Sequence, residues 1–344
     1  MFDPPSRILG MSVVAAPSVQ PIVDGLAADL GLLDQKLRTT LDSDVALIRS
    51  IADYIVNAGG KRLRPILVFL SFYAQENKGS RENAVSLATT VELIHTATLL
   101  HDDVVDESDM RRGMPTANAE FGNAASVLVG DFLYSRAFQV MVSTGSMRVL
   151  EIVSEATNRI AEGEVMQLLA IGNLELTELD YMNVIEAKTA KLFEAAGALG
   201  AIAAGADRAR ETMMANYARR LGVAFQIADD VLDYRGDADV LGKSLGDDLA
   251  EGKLTLPIIL ALKRAPAEER NWLRSIIRDN RVTHEHAHLP KVRALLESCG
   301  ALDASMALAE SHARAAAHEI SSLPESNAKR WMLDLCEYST QRSV

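Results

Sequence analysis

The chain has 344 residues, 48% of them hydrophobic, enough to bury the core of one large domain or two ordinary ones. Its formal net charge of −12 argues against general nucleic-acid binding, because a phosphate backbone calls for a basic face. Its two cysteines, Cys299 and Cys336, make no disulfide framework and read as packing residues in a reducing, cytoplasmic setting.

At the N-terminus, Arg7 and the apolar residues 8–16 loosely imitate a secretory leader. Asp3, Pro4 and Pro5 spoil its charged end, and Gly10 and Ser12 interrupt its apolar run, so residues 1–22 are expected to form a flexible tail. Apolar residues then recur at helical spacing through roughly 23–56, 62–75, 82–105, 118–142, 147–171, 178–204, 209–233 and 253–263, with further helices toward the C-terminus. Strand signals are scarce. Breaks fall at 59–60, 77–80, 107–115, 144–145, 172–173, 236–246 and 264–267, none long enough for a domain linker. Residues 23–344 therefore read as a single all-α domain. The small-residue run 195–206 is too short to span a bilayer and is expected to be a tightly packed buried helix, leaving no transmembrane segment.

Two of these helices end in the same acidic pattern, Asp102, Asp103, Asp106 and Asp229, Asp230, Asp233. On a helix the first and last carboxylates of each set stack one turn apart, about 5.4 Å along the axis, and repel. Something cationic must offset that repulsion twice. Carboxylate oxygens clustered without His or Cys suit a hard ion, and Mg²⁺ favours one or two carboxylates plus phosphate oxygens. Basic residues collect nearby: Lys61 and Arg64 in the Gly-Gly-Lys-Arg-Leu-Arg-Pro run at 59–65, Arg111 and Arg112 after the first acidic set, and Lys188, Lys243 and Lys253 around the second. A glycine-ended loop, a helix N-terminus and several Lys or Arg can cradle phosphate without metal. Two phosphorylated ligands are thus implied, one held through metal and one held directly. His95 lies seven residues before Asp102, about 20° away on the same helix face, and so points toward the site; a satisfied core histidine is the alternative.

These segments resemble the trans-type polyprenyl diphosphate synthases. The resemblance rests on Gly-Gly-Lys-Arg-Leu-Arg-Pro at 59–65, Leu-Leu-His-Asp-Asp-Val-Val-Asp at 99–106, Arg111-Arg112-Gly113, Lys188-Thr189, Phe-Gln-Ile-Ala-Asp-Asp-Val-Leu-Asp at 225–233, and Gly242-Lys243 through Glu251-Gly252-Lys253. It spans about residues 45–260, and the run 95–138 is most like the bacterial enzymes that make octaprenyl chains. The resemblance implies an isoprenoid-synthase helical bundle around a central active-site cavity. It also implies a homodimer that condenses isopentenyl diphosphate with an allylic diphosphate such as farnesyl diphosphate, using several Mg²⁺ ions, to make the tail of a respiratory quinone such as ubiquinone. Asp102, Asp106 and Asp229 would hold the metal, with Asp103, Asp230 and Asp233 supporting the ions or their waters. Arg111, Lys188, Lys243 and Lys253 would neutralise the leaving diphosphate. Lys61, Arg64, His95 and Arg112 would hold isopentenyl diphosphate, and Thr189 and Gln226 would line the reacting centre. Peripheral contact with a membrane would serve release of so apolar a product.

Chain length is expected to be set four and five residues before Asp102. Thr98 lies about 40° from Asp102 and one turn beneath it, in the path of a growing chain. Ala97 points farther round and enters only because short-chain members of the family carry bulky aromatics at one or both positions. Both are small here, which favours a long product. The alternatives are a synthase of another chain length (solanesyl, decaprenyl or geranylgeranyl), a terpene cyclase, and a non-catalytic partner subunit. Two decoys fall away: the His-Glu-His-Ala-His run at 284–288 lacks the long helix and third ligand of a zinc protease, and Gly242-Lys243-Ser244 sits in an acidic loop with no glycine at phosphate-loop spacing.

Overall fold

The structure, a computed structural model, describes residues 18–57, 59–75, 79–111, 113–236, 245–283 and 288–341. Its elements run α1 (Gln20–Gly25), α2 (Ala27–Leu41), α3 (Ala46–Asn57), α4 (Leu63–Tyr73), α5 (Arg81–Val105), the hairpin β1 (Met110–Arg111) and β2 (Met114–Pro115), α6 (Ala117–Phe121), α7 (Asn123–Val142), α8 (Met147–Ala170) and α9 (Glu178–Ile185). A π-helical turn, Glu186–Ala190, joins α9 to α10 (Lys191–Ala203). Then follow α11 (Arg208–Arg235), α12 (Asp247–Ala250), α13 (Leu256–Arg264), α14 (Ala267–Thr283), α15 (Leu289–Ser298), α16 (Ala301–Glu319) and α17 (Asn327–Gln341).

The three longest helices begin where a side chain satisfies one of the first free N–H groups. Ser80 accepts from the Asn83 amide at the start of α5, Ser146 from Val149 at the start of α8, and Asp207 from Arg210 at the start of α11. Thr177 and Asp180 form a reciprocal capping box that opens α9.

The expected 23–56 helix is three helices, because Asp42 is extended (φ −63°, ψ 137°) and ends α2 before α3 begins. Its start also moves back: α1 opens at Gln20 with Pro21 in its first turn, and Ile22, placed in the tail by the sequence pattern, is buried. Residues 1–17 of that tail lie outside the described residues.

The small-residue run behaves as its composition demands. In α10, a Cβ on Gly200 would stand 2.2 Å from the Val68 carbonyl oxygen of α4, and one on Gly197 would stand 2.3 Å from the Met214 carbonyl of α11. Even alanine at either position would push the backbones apart, so α10 packs tightly between two neighbours. The buried apolar residues form two clusters. One joins α2, α4, α5, α7, α8 and α10 with the first half of α11 and the C-terminal helices. The other joins α9 and the last turns of α11 with α13 to α16. Helix α11 runs from the first cluster into the second, and its acidic end lies among the residues of the second. No helix among the described residues is long and apolar enough to cross a membrane.

Candidate active site

Asp102 and Asp106 at the end of α5 face Asp229 of α11 across a cavity of about 750 Å³. Its wall also carries Lys61, Arg64, His95, Thr98, Arg111, Lys188, Thr189 and Gln226. Eleven of the residues expected at the site thus meet in one space.

The α5 carboxylates are held by lysines distant in sequence. Lys188 Nζ lies 3.4 Å from Asp102 Oδ2 and 2.6 Å from Glu164 Oε2, while Lys253 Nζ lies 2.8 Å from Asp106 Oδ2 and 2.6 Å from Glu251 Oε2. Only 15% of each aspartate side chain is exposed. Burial raises the Asp102 carboxyl above its ordinary pKa, and Lys188 opposes that rise. Burial pushes Glu164 up to about 7 against the pull of Lys188. Burial alone would depress both lysines, but Asp102 and Glu164 outweigh it at Lys188, and Asp106 and Glu251 outweigh it at Lys253, so both ammonium groups stay charged.

Lys188 and Thr189 reach the cavity from the π-helical turn between α9 and α10, a register that regular helical spacing does not anticipate. Thr189 Oγ1 donates to Gln226 Oε1 at 2.9 Å, and Gln226 Nε2 donates to Asp230 Oδ1 at 2.8 Å. Tyr181 donates its hydroxyl to the other oxygen of Asp230. Lys188, Thr189 and Gln226 also form the partition between the main cavity and a side chamber of about 170 Å³, on whose wall Lys253 lies.

At the basic end, the Arg64 guanidinium lies 3.0 Å from His95 Nε2 and stacks over Phe193, 4.7 Å from the ring centre. Arginine can only donate, so His95 Nε2 accepts and the ring is neutral with its proton on Nδ1. Lys61 is exposed, with its ammonium 5.4 Å from the centre of the Tyr338 ring.

Three of the six motif carboxylates turn away from the cavity. Asp103 is buried and accepts from Arg111 at 2.6 and 2.9 Å. Asp230 is buried against Tyr181 and Gln226, and Asp233 is buried with Oδ2 3.4 Å from the Asp248 amide. Helical geometry explains Asp103 and Asp230, since i+1 lies about 100° round from i and falls on the packed face; Asp233, one turn on from Asp229, is covered instead by the chain around Gly246 and Asp248, whose amides bond its carbonyl and its carboxylate. The expected metal-facing set thus contracts to Asp102, Asp106 and Asp229. Ala97 lies on the packed face too: it is fully buried in the first apolar cluster and is absent from the cavity wall, whereas Thr98 is on it. Arg112, Lys243 and residues 284–287 of the histidine-rich run lie outside the described residues.

Four further residues stand at the site with no role assigned from the sequence: Arg62 and Glu251 lie within the quoted runs, and Glu92 and Glu164 lie outside them. Glu164 and Glu251 hold the lysines, and Arg62 forms a buried ion pair with Glu92 of α5. Arg62 has φ 49° and ψ 34°, left-handed backbone that a non-glycine residue adopts at a cost of about 1–2 kcal/mol. Its place between Lys61 and Arg64 was the only available signal, and the strain marks this loop as over-determined by its contacts.

The donor set fits a hard divalent cation shared with a ligand. The three cavity carboxylates offer oxygen alone, and no group of three or more His, Cys, Asp or Glu among the described residues closes into a metal cage by itself. Mg²⁺ is ordinarily held in that way, by one or two carboxylates completed by phosphate oxygens and water.

A polyprenyl synthetase family model matches residues 45–295. The octaprenyl diphosphate synthase of Haemophilus influenzae is 45% identical over 331 residues, covering 96% of this chain and 98% of that one. The all-trans-nonaprenyl-diphosphate synthase (geranyl-diphosphate specific) of Rhodobacter capsulatus is 43% identical over 94% of this chain and 98% of its own. In structure, the chain superposes with a TM-score of 0.91 on a polyprenyl synthase from Caulobacter crescentus complexed with calcium and isoprenyl diphosphate, at 41% identity over 96% of this chain and 99% of that chain.

Proposed function

This chain belongs to the polyprenyl synthetase family, and on that premise we propose that it adds isopentenyl diphosphate repeatedly to an allylic diphosphate such as farnesyl diphosphate. The product is a long trans-polyprenyl diphosphate of octaprenyl length, destined for a quinone side chain such as that of ubiquinone. The observation that carries this reading is the single cavity with Asp102, Asp106 and Asp229 at one end and Lys61, Arg64 and His95 at the other. Two diphosphates of different chemistry can lie there with their carbon ends facing each other.

In this reading Asp102, Asp106 and Asp229 hold Mg²⁺. The metal, when bound, supplies the charge stabilisation that lets an allylic C–O bond ionise. Lys188, Lys253 and Arg111 carry positive charge to the same diphosphate as it departs. Lys61 and Arg64 hold isopentenyl diphosphate directly, and the neutral His95 ring fixes the Arg64 guanidinium. The double bond of isopentenyl diphosphate attacks the allylic cation so formed, and the departing diphosphate takes the proton then lost. Two free cysteines suit a cytoplasmic location. The exposed apolar stripe Val127, Leu128, Phe138 and Val142 on α7 supports a homodimer.

The test is product sizing by chromatography after the purified chain is incubated with farnesyl diphosphate, isopentenyl diphosphate and Mg²⁺. Release of octaprenyl diphosphate supports the reading. Cyclised hydrocarbon formed without isopentenyl diphosphate would make the chain a cyclase, and inactivity relieved only by a second, different chain would make it a partner subunit.

A further inference from the structure

Lys188 and Lys253 serve the first acidic motif, yet each makes its closer contact to a glutamate outside both acidic motifs: 2.6 Å to Glu164 against 3.4 Å to Asp102, and 2.6 Å to Glu251 against 2.8 Å to Asp106. The two triplets are built from unrelated elements. Glu164 comes from α8, where the neighbouring Gly163 permits close approach, since a Cβ there would stand 2.7 Å from the Lys188 amide nitrogen. Glu251 comes from the turn between α12 and α13, two residues before its lysine. Both reach one arrangement, aspartate–lysine–glutamate, with the lysine side chain only 20% or 17% exposed.

A lysine so enclosed cannot lose its counterion cheaply. Any divalent cation that draws Asp102 and Asp106 to itself removes one carboxylate from each lysine. If those were the only partners, metal binding would leave two enclosed ammonium groups uncompensated until a diphosphate arrived. We propose that Glu164 and Glu251 are positioning residues that hold Lys188 and Lys253 while Asp102 and Asp106 turn to metal, so that both lysines meet the incoming diphosphate already in place. The inference rests on the reading that Asp102 and Asp106 take Mg²⁺.

Calorimetric titration of Mg²⁺ into the full chain tests it, alone and with an allylic thiodiphosphate whose C–S bond does not ionise. Glu164→Gln and Glu251→Gln should each weaken Mg²⁺ binding to the free protein by about tenfold. The loss should shrink to about threefold with the thiodiphosphate bound, because its phosphates then compensate the lysine. The pair Glu164→Gln with Lys188→Met should restore free-protein Mg²⁺ affinity to within about threefold of wild type, since no ammonium is stranded. Unchanged Mg²⁺ binding in both single variants, with a lower melting temperature, would make the glutamates purely structural and overturn the proposal. So would a double variant as weak as Glu164→Gln alone. If Asp102→Ala binds Mg²⁺ as wild type does, the metal reading itself fails, an outcome distinct from either.

Discussion

The two acidic motifs have the same residue spacing and opposite surroundings. At the end of α5, Asp102 and Asp106 both face the cavity and each is held by a lysine, while Asp103 is buried on Arg111. At the end of α11 only Asp229 is exposed, and Asp230 and Asp233 are buried, with Tyr181, Gln226 and the Asp248 amide as uncharged donors. The first motif therefore delivers two carboxylates to the cavity and the second delivers one. What a carboxylate in this pattern does is decided by the element packed against it. Lysines from the π-helical turn and from the turn before α13 make the first motif an electrostatic assembly. In the second, the tyrosine of α9 and Gln226 hold Asp230 by hydrogen bonds.

The comparison breaks most readily at the cavity-facing carboxylates. Asp102→Ala and Asp229→Ala should each lower turnover by roughly three orders of magnitude, because each removes a proposed ligand for the charge that leaves with diphosphate. Neither should lower the melting temperature appreciably: Asp229 is exposed, and Lys188 keeps Glu164 when Asp102 is gone. Steady-state kinetics at saturating Mg²⁺ beside a thermal melt reads both effects. Near-wild-type turnover in either variant would remove that motif from the metal site.

The change in product length is expected next, and it separates the cavity face of α5 from its packed face. Thr98→Phe places a ring on the cavity wall one turn below Asp102 and should shorten the released product sharply while the first condensation survives. Ala97→Tyr enters a fully buried position and should instead destabilise the chain by about 1–3 kcal/mol through overpacking, with product length changed less. Sizing the products of both variants decides it. A shorter product from Ala97→Tyr than from Thr98→Phe would mean that the packed face, not the cavity face, bounds the growing chain.

The same contrast shows which parts of the site a sequence can carry. Local helical geometry was enough for the acidic spacing, for Thr98 beneath Asp102 and for His95 on the same face, because those relations hold within α5 itself. It was not enough for the partners. Lys253 meets Asp106 and Arg62 meets Glu92 only because separate elements are packed side by side, and nothing in the residues near Glu92, Glu164 or Tyr181 marks them as partners. The continuous 178–204 helix missed the π-helical turn at Glu186–Ala190, whose extra residue per turn carries Lys188 and Thr189 to the cavity. Ala97 is the converse case: the helical wheel points it away from the cavity, the structure buries it, and only family resemblance gives it a part in product length.

Buried carboxylates should register in stability before they register in rate. Asp230→Ala leaves the Tyr181 hydroxyl without its acceptor and should cost about 1–3 kcal/mol of unfolding free energy. Arg111→Met strands the buried Asp103 carboxylate; because the Arg111 side chain is 39% exposed and its contribution is screened, about 1–2 kcal/mol is expected. Urea unfolding followed by circular dichroism measures both. If Asp230→Ala matched Asp229→Ala in lost turnover with no loss of stability, the second motif would act through two carboxylates, and its contrast with the first would vanish.

The smallest effect expected is that of Tyr181→Phe, and it isolates how the second motif is held. In the wild-type chain Asp230 accepts from Tyr181 at one oxygen and from Gln226 at the other, and the Gln226 carbonyl in turn accepts from Thr189. Both carboxyl oxygens act as acceptors, which favours the ionised form against a burial that pushes the Asp230 pKa well above its ordinary value. Loss of the tyrosine hydroxyl removes one of the two bonds supporting that charge, so Asp230 shifts toward its neutral form, in which the freed oxygen carries a proton and needs no donor. Gln226 keeps its acceptor and its orientation, and Thr189 keeps Gln226. Stability should therefore fall by only about 1 kcal/mol, and turnover by less than about threefold. A hundredfold loss of turnover would show that the charge on Asp230, and not merely its grip on Gln226, is felt at the reacting carbons.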